Sequence, residues 1–407
     1  MKRRVVITGM GLLSPIGNTV DSAMASLKAG RSGVRRMPNL GPVKGLLSQV
    51  GATVADFGEN LIPRKFRRSM GRLALLAAAA GQQAVTAARL DTDLIRSGRV
   101  GVCIGQTTGS ASATEQYLDA LKREGVRGLK CTWFLQMMSH SAAANLAQML
   151  GVAGRVWAPA ASCASGSLAI GQGFEAIRDG HQDVMLCGGT EELHVATNAA
   201  FDVVGAASRA FNDRPTLTPR PFDVRRDGLV MAEGAGIVVL EEYEHAKRRS
   251  AAVLGEVLGF ATYWDCEHLW APAREGMART IAGCLQSAEC AANDVEYVNA
   301  HAAGTPTGDP AEAQATRSLV GHGPLVSSTK GHTGHTGAAC GALEAIFCIE
   351  MIRQGFLVPT LNLEEVAPEC AGLRYLREFA ERKVSRVLTN NFALGGVSTS
   401  LLLGAAS

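Results

Sequence analysis

The sequence lacks the usual features of nucleic-acid-binding and membrane-spanning proteins. Charged residues make up 19% of its 407 residues, aromatic residues make up 5%, and the net charge is only +3. No apolar run approaches the ~20 residues that span a bilayer. The apolar start is interrupted by Thr8 and Gly9, and no small-residue cleavage site follows. We therefore interpret this start as a buried strand ending in a glycine turn, and we expect a cytoplasmic protein that binds neither nucleic acid nor membrane.

Closely spaced cysteine pairs are also missing. None of the ten cysteines forms a Cys-x-x-Cys pair, and all lie in apolar segments. They are Cys103, Cys131, Cys163, Cys187, Cys266, Cys284, Cys290, Cys340, Cys348 and Cys370. We interpret most of them as small buried side chains in a reducing compartment, and we predict no metal site.

The sequence does contain a regular alternation of β-branched runs and Ala-rich stretches. Hydrophobic residues make up 47% of the chain, which is enough for a large core. Runs such as residues 184–187 favour buried strands, whereas Ser141–Leu150 favours a helix. A second round of strands and helices follows residue 250. This order predicts an α/β protein of two similar halves packed together, residues 1–250 and 251–407.

Cys163 lies at a junction between two predicted elements. Residues 155–162 favour a strand, and residues 164–180 favour a helix. A helix N-terminus offers unpaired N–H groups and the positive end of the helix dipole, which favour a thiolate over a thiol. Taken alone, this segment fits a nucleophile and a buried structural cysteine about equally well.

Two histidines favour the interpretation of Cys163 as a nucleophile over that of a structural cysteine. His301 follows a predicted strand, and His335 ends a glycine-flanked loop that leads into an Ala/Gly-rich helix. A single histidine at either place is more often structural, but two at such junctions indicate an assembled site. The alternative, a Cys–His protease, does not explain two histidines together with Lys330 on such loops.

At these residues the sequence resembles the β-ketoacyl-acyl-carrier-protein synthases, most of all the elongating type II synthases of dissociated fatty-acid and polyketide systems. The similarity runs nearly end to end, through VVITGMGLLSPIGN, AASCASGS, RPFDVRRDGLVMAEGAG, VNAHAAGTPTGD, SSTKGHTGHTGAACGALEA and NNFALGGVSTSL. The resemblance implies a duplicated αβαβα thiolase fold, usually a homodimer with its acyl pocket near the interface. It also implies decarboxylative condensation of an acyl enzyme with malonyl-acyl-carrier protein. That reaction needs no cofactor, because phosphopantetheine carries the substrates.

The resemblance also implies a role for each matched residue. Cys163 would be the nucleophile, His301 and His335 would donate N–H groups to the enolate oxygen, and Lys330 would orient the site electrostatically. The backbone N–H groups of Cys163 and Leu394 would form an oxyanion hole. The other matched positions are the acidic network of Asp309, Glu312 and Glu344, the pantetheine-binding Thr305, the acyl-channel residues Thr108, Trp133 and Phe201, and Phe392 beside Leu394 in the closing loop.

Three positions depart from the family's pattern. Where the family has HGTST, this chain reads His301-Ala-Ala-Gly-Thr305, so that Ala303 replaces one pantetheine-binding threonine. In the closing loop, Leu394 replaces a gatekeeping phenylalanine and Ala393 replaces a glycine. These changes lead us to expect a specialised synthase, from a polyene or aryl-polyene pathway, that tolerates bulky acyl chains.

An acidic carrier protein needs a basic docking surface. Residues 64–68 are the densest positive cluster, and Lys65 and Arg68 within it match docking positions of the family. Arg127 and Arg209 are further candidates. The alternative for this cluster is an ordinary solvated helix face.

Two other functions compete with a synthase. A non-catalytic chain-length factor would pair with a true synthase, but it usually lacks the cysteine that this chain has at Cys163. A thiolase would carry a second catalytic cysteine in a late Cys-x-Gly motif, whereas Cys340 lies inside a predicted helix. The sequence leaves open whether the working dimer is homomeric or paired with a related subunit.

Overall fold

A computed structural model describes residues 3–265, 267–269 and 272–406, so Cys266 lies outside the described residues. The strands are β1 (Val5–Leu13), β2 (Arg35–Arg36), β3 (Val50–Gly51), β4 (Val100–Gly105), β5 (Val156–Trp157), β6 (Val184–Glu191), β7 (Gly234–Glu242), β8 (Gly255–Trp264), β9 (Tyr297–Asn299), β10 (Leu325–Ser327), β11 (Phe356–Leu357), β12 (Arg374–Tyr375), β13 (Ala380–Glu381), β14 (Arg386–Phe392) and β15 (Val397–Gly404). The helices are α1 (Val20–Lys28), α2 (Arg64–Arg67), α3 (Arg72–Ala88), α4 (Thr92–Arg96), α5 (Ala111–Glu124), α6 (Cys131–Met137), α7 (Ser141–Leu150), α8 (Ser165–Arg178), α9 (Val195–Val203), α10 (Tyr243–Arg248), α11 (Arg274–Ser287), α12 (Gly308–Val320), α13 (Lys330–Thr333) and α14 (Cys340–Gln354).

The main sheet of the described residues has eleven strands and repeats one pairing pattern twice. Its order is β12-β10-β9-β14-β15-β8-β1-β7-β6-β4-β5. In the first half, β1 and β7 are antiparallel, β7 and β6 are antiparallel, and β6, β4 and β5 are parallel. In the second half, β8, β15, β14, β9 and β10 follow the same pattern. The predicted α/β fold with two similar halves is therefore confirmed.

The helices form layers on both sides of these strands. Helices α8 and α14 pack together at the centre, α8 against β6 and β4, and α14 against β14 and β7. Helices α3 and α7 cover the outer face of the first half, and α11 and α12 lie on the second. Every residue of α14 from Cys340 to Ile352 is buried, which explains why this helix is apolar on nearly all sides, apart from Glu344 and Glu350. No helix in the described part of the chain is long and apolar enough to cross a bilayer.

The structure corrects two predicted strands. The first strand does not end in a glycine turn at Gly9 but continues to Leu13. Its glycines instead allow α3 to lie directly on the strand: a Cβ atom at Gly11 would come 2.1 Å from the carbonyl oxygen of Ala80. The strand predicted over residues 155–162 is only Val156–Trp157. Pro159 lacks the N–H group that a longer ladder would need.

Candidate active site

Cys163 lies in a tight turn at the start of the central helix α8. A 3-10 turn, Ser162–Ala164, precedes the helix, and Ser162 has a φ of 48°, a left-handed conformation that is unusual for a residue with a side chain. The Ser165 hydroxyl holds this turn: it donates to the carbonyl of Ser162 at 2.7 Å and accepts from the N–H of Ala161 at 2.8 Å. The sulfur therefore sits at a helix N-terminus, where the sequence predicts it.

His301 follows β9, and carboxylates of α12 hold its backbone. Glu312 accepts the N–H groups of His301 at 2.8 Å and Ala302 at 2.6 Å. Asp309, one turn earlier in the helix, accepts those of Ala303, Gly304 and Thr305. Burial raises the pKa of Glu312 to about 8, although the His301 amide and the Lys330 ammonium oppose this change. Burial also raises the pKa of Asp309.

His335 lies between α13 and α14 and is fixed on both sides of its backbone. Its N–H donates to the carbonyl of Val230 at 2.7 Å, and its carbonyl accepts the N–H of Ala232 at 2.9 Å. The side chain is 1% exposed. Two residues further along, the N–H of Gly337 donates to Nδ1 of the His335 ring at 3.2 Å. In the neutral ring, this contact places the lone pair on Nδ1 and the hydrogen on Nε2.

These three side chains converge on one point. One ring nitrogen of each histidine and the sulfur of Cys163 lie within 4.8 Å of one another. The rings of His301 and His335 meet edge to face, with centroids 5.4 Å apart. The sulfur, both rings and Leu394 border a cavity of about 130 Å³. A substrate carbonyl in this cavity would therefore meet the sulfur and two imidazoles together.

The surroundings of Cys163 favour its thiolate. Burial raises the pKa of the thiol, but the His335 ring, the Ser162 hydroxyl and the backbone N–H of Leu394 together lower it to about 7. For His335 itself, burial lowers the pKa and the Cys163 sulfur raises it, with a net rise. The site therefore favours a thiolate beside a protonated His335, and the Gly337 contact makes Nδ1 the ring nitrogen that loses its hydrogen first.

His301 is neutral for different reasons. Burial, the Lys330 ammonium and the His335 ring all hold the pKa of His301 well below its usual range. Lys330 is 1% exposed and pairs with Glu344 at 2.5 Å. Burial alone would lower the pKa of Lys330, but Glu344 raises it, so the lysine keeps its charge. Lys330 is therefore a fixed positive charge beside an uncharged imidazole.

The chain matches two models of one protein family. Residues 2–246 match the model of the β-ketoacyl synthase N-terminal domain, and residues 254–364 match that of the C-terminal domain. The chain belongs to the β-ketoacyl synthase family. The family that the sequence resembles is thereby confirmed.

Individual β-ketoacyl synthases are similar over the whole chain. The 3-oxoacyl-[acyl-carrier-protein] synthase 1 of Escherichia coli K12 is 34% identical over 406 residues, which cover 98% of each chain. A crystal structure of a β-ketoacyl synthase from Burkholderia phymatum STM815 is 43% identical, with a TM-score of 0.96 and full coverage of both chains. A structure of the type II PKS acyl-carrier protein in complex with its ketosynthase bound to the hexaketide (AntDE:AntF) is 28% identical, with a TM-score of 0.92 and full coverage of both chains.

Sulfur and two imidazoles are also typical metal ligands. In a typical metal site, the ring nitrogen that faces away from the metal donates its hydrogen to a carboxylate or carbonyl. Here the opposite holds for His335, whose Nδ1 accepts from Gly337. The amide nitrogen of Asn391 likewise faces Nδ1 of His301 at 3.5 Å. The N–H donor at Nδ1 of His335 differs from the acceptor that a typical metal site places there, and the absence of a metal stays a prediction.

The other predicted substrate contacts divide into two groups. Thr305, Phe201, Phe392 and Leu394 all border the cavity of the synthase. Thr108 and Trp133 are not part of the cavity lining. Thr108 is exposed, with its hydroxyl donating to the carbonyl of Gly109, and Trp133 lies under Lys130. Their acyl-channel role stays a prediction.

The predicted docking residues differ in what they contact. Lys65 and Arg68 are exposed on and beside α2, and Arg127 is exposed before α6. Arg209 instead pairs with Asp202 at 2.9 Å. That internal ion pair makes Arg209 the weakest of these candidates.

Sequence reasoning missed two polar residues beside the site. Asn391 contacts both Glu344 and His301. Glu191, at the end of β6, accepts from the Thr107 hydroxyl and from the N–H of Ala338, so it holds the turn that orients His335. An acidic residue at the end of a buried strand was a usable signal for Glu191. For Asn391, the sequence offers only one signal: a polar residue directly before Phe392 of the closing loop.

Proposed function

We propose that this chain catalyses the decarboxylative Claisen condensation of an acyl group with malonyl-acyl-carrier protein. The observation that carries the proposal is the convergence of Cys163, His301 and His335 within 4.8 Å around a sulfur whose pKa is lowered to about 7. A thiolate with hydrogen-bond donors around it is suited to acyl transfer between thioesters.

The first half-reaction loads Cys163. The thiolate attacks the carbonyl carbon of an acyl thioester, a new carbon–sulfur bond forms, and the thiolate of the carrier's phosphopantetheine leaves. Negative charge develops on the carbonyl oxygen during the attack. The backbone N–H of Leu394 contacts the Cys163 sulfur, which supports its role in the oxyanion hole together with the N–H of Cys163.

The second half-reaction uses the two histidines. Malonyl-acyl-carrier protein loses carbon dioxide as its carbon–carbon bond breaks, and the electron pair becomes an enolate. Nε2–H groups of His301 and His335 donate to the enolate oxygen. His301 is neutral, and His335 becomes neutral once acylation of Cys163 removes the thiolate that raises its pKa. The enolate carbon then attacks the acyl-Cys163 carbonyl, and the product leaves as a β-ketoacyl thioester of the carrier with Cys163 restored as a thiolate.

Buried polar groups behind the histidines keep this arrangement in place. Asp309 and Glu312 hold the backbone of residues 301–305, and Glu344 pairs with Lys330. The Lys330 charge opposes protonation of His301, which would remove the neutral donor. Thr305 borders the cavity, which supports its proposed contact with a phosphopantetheine arm.

Two protein partners belong to the proposal. Lys65, Arg68 and Arg127, with Arg209 as the weakest, would dock an acidic acyl-carrier protein. A related synthase-like chain or a second copy would cover the exposed apolar residues Phe134, Leu135 and Val156. The division of the halves near residue 250, the cytoplasmic location and the specialised pathway stay predictions.

Intact-mass measurement with acyl-carrier substrates tests the proposal. Incubation with a panel of acyl-carrier thioesters should add one acyl mass to the chain, and peptide mapping should place it on Cys163. The panel would also show whether Leu394 and Ala303 admit bulky chains. An unmodified Cys163 with every substrate would favour a chain-length factor.

A further inference from the structure

Asn391 lies where the two buried charges of the site meet a catalytic histidine. It precedes Phe392 at the end of β14 and is fully buried. Its amide nitrogen donates one hydrogen to Oε2 of Glu344 at 2.7 Å. The same nitrogen lies 3.5 Å from Nδ1 of His301. A continuous chain of polar contacts therefore runs from Lys330 through Glu344 and Asn391 to His301.

The neighbours of Asn391 fix the orientation of its amide. Oε1 of Glu344 accepts from Lys330, and Oε2 accepts from Asn391, so the carboxylate needs a hydrogen-bond donor at this place. The reverse orientation would bring the amide oxygen against a carboxylate oxygen. In the observed orientation Oδ1 is buried without a hydrogen-bond partner among the described residues. A buried carbonyl without a partner is destabilising, so the contact with Glu344 determines the orientation.

The backbone of α14 leaves room for this arrangement. A Cβ atom at Gly341 would lie 2.3 Å from Oδ1 of Asn391 and 2.6 Å from Cβ of Ser167. The absence of a side chain at Gly341 therefore lets β14, α8 and α14 approach one another at the amide.

The orientation of the amide has a consequence for His301. An N–H directed at Nδ1 is compatible only with a lone pair there, so the hydrogen of the neutral ring belongs on Nε2. A carboxylate at the same place would do the reverse. It would bind the Nδ1 hydrogen and leave a basic Nε2, as in Ser-His-Asp triads. An enolate oxygen requires a donor rather than a base.

We propose that Asn391 is a positioning residue that sets the tautomer of His301, so that its Nε2–H faces the reacting oxygen. This inference rests on the proposed condensing function, because only an oxygen that gains negative charge makes the Nε2–H tautomer useful. The amide also separates the ionised pair of Lys330 and Glu344 from the imidazole. The ring therefore contacts a neutral donor rather than a charged acceptor.

The test compares Asn391→Asp with the wild type in the full chain. Long-range ¹H–¹⁵N spectra of ¹⁵N-histidine-labelled protein report which ring nitrogen carries hydrogen, and His301→Gln identifies the resonance. We expect an Nε2–H ring in the wild type, and an Nδ1–H ring or an imidazolium in Asn391→Asp. Malonyl decarboxylation should fall about 10²–10³-fold, as for the loss of an oxyanion donor. Acyl loading of Cys163 should stay within about tenfold of wild type, since the donors at the sulfur are unchanged.

Two further variants keep the test decisive. Asn391→Ala removes the amide without adding charge, and it should give a mixture of His301 tautomers with partial loss of decarboxylation. Asn390→Ala is the matched control, because Asn390 lies next to it on β14 but contacts Ser400, whose hydroxyl donates to it at 2.7 Å. The control should leave the tautomer unchanged.

The spectra separate failure of this inference from failure of the proposed function. A His301 ring that keeps its hydrogen on Nε2 in both Asn391 variants would overturn the role of Asn391. Equal losses of loading and decarboxylation at an unchanged tautomer would overturn it as well. A wild type that neither loads nor decarboxylates would instead refute the condensing function, whatever tautomer the ring shows.

Discussion

The two halves of the molecule bring equivalent helix starts to the same place and equip them differently. In the first half, β5 leads to the turn Ser162–Ala164 and then to α8. In the second, β10 leads through α13 to the turn Gly337–Ala339 and then to α14. The first turn carries the sulfur, and the residues before the second turn carry His335.

The loops after the matching strands β4 and β9 differ in the same way. After β4, Gln106 uses its side chain to hold its own loop: it accepts the N–H of Ala142 at 3.0 Å and donates to the carbonyl of Thr108 at 2.9 Å. After β9, the carboxylate of Glu312 holds the loop, which leaves the side chain of His301 at the cavity. The first half thus supplies the sulfur, and the second supplies both imidazoles and the buried ion pair, although their backbones follow one plan.

Removal of the nucleophile should produce the largest effect. Cys163→Ala deletes the contribution of the first half, so condensation should fall roughly 10⁴–10⁶-fold, as in other enzymes that lose a nucleophile. Malonyl decarboxylation should persist, since both histidines remain. Product formation and carbon dioxide release are measured in parallel. Condensation near the wild-type rate would contradict the assignment of Cys163.

Breaking the buried ion pair of the second half should lower the stability of the fold. Lys330→Met leaves Glu344, which is 3% exposed, as a buried carboxylate without its cation. Breaking such a pair costs about 3–5 kcal/mol of unfolding free energy. Urea denaturation measures the loss, and Lys65→Met is the matched control because Lys65 is exposed. Equal stability of the two variants would show that the ion pair does not stabilise the fold.

The histidines should affect chemistry more than stability. His301→Ala and His335→Ala each remove one N–H donor, and each should slow decarboxylation about 10²–10³-fold. His335→Ala should also slow acyl loading, because His335 faces the sulfur. Circular dichroism melting checks that the variants fold. A variant with normal decarboxylation would identify its histidine as structural.

The contact between His335 of the second half and Cys163 of the first should be visible in the pH dependence of Cys163 reactivity. The pKa of Cys163 is lowered to about 7, so the thiol predominates below pH 7 and the thiolate above it. Iodoacetamide labelling of Cys163 should therefore rise about tenfold per pH unit below 7 and level off above it. His335→Ala should move the midpoint to higher pH because a donor to the sulfur is lost. An unchanged midpoint would mean that the second half does not activate the nucleophile.

The smallest expected effect concerns the surface of the first half. Lys65→Glu with Arg68→Glu should raise KM for carrier-bound substrates by about tenfold or less, because exposed charge pairs are weak. A small soluble thioester should be turned over as by the wild type. The difference should shrink with added salt, since screening acts over about 8–10 Å at physiological ionic strength. Equal losses on both substrates would indicate a folding defect.

Local patterns were sufficient to predict the alternation of elements, Cys163 at a helix start and both histidines in loops. The contacts that set their chemistry join residues far apart in the chain. Asn391 reaches His301 because β14 pairs with β9, and Glu191 reaches Ala338 across the two halves. Arg209 was predicted from its charge alone, and its partner Asp202 appears only once α9 is folded.

The central helices have a consequence for how the protein unfolds. Among the described residues, β1 and β8 join the strands of the two halves through two residue pairs, Val6 with Glu256 and Ile7 with Gly255. However, α8 also packs against β15 and β8 of the second half, and α14 against β7 of the first. A Cβ atom at Gly171 of α8 would lie 2.2 Å from the ring of Phe260 on β8. Each half therefore completes the core of the other, so unfolding should be a single cooperative transition in which thiol reactivity and tertiary structure change together.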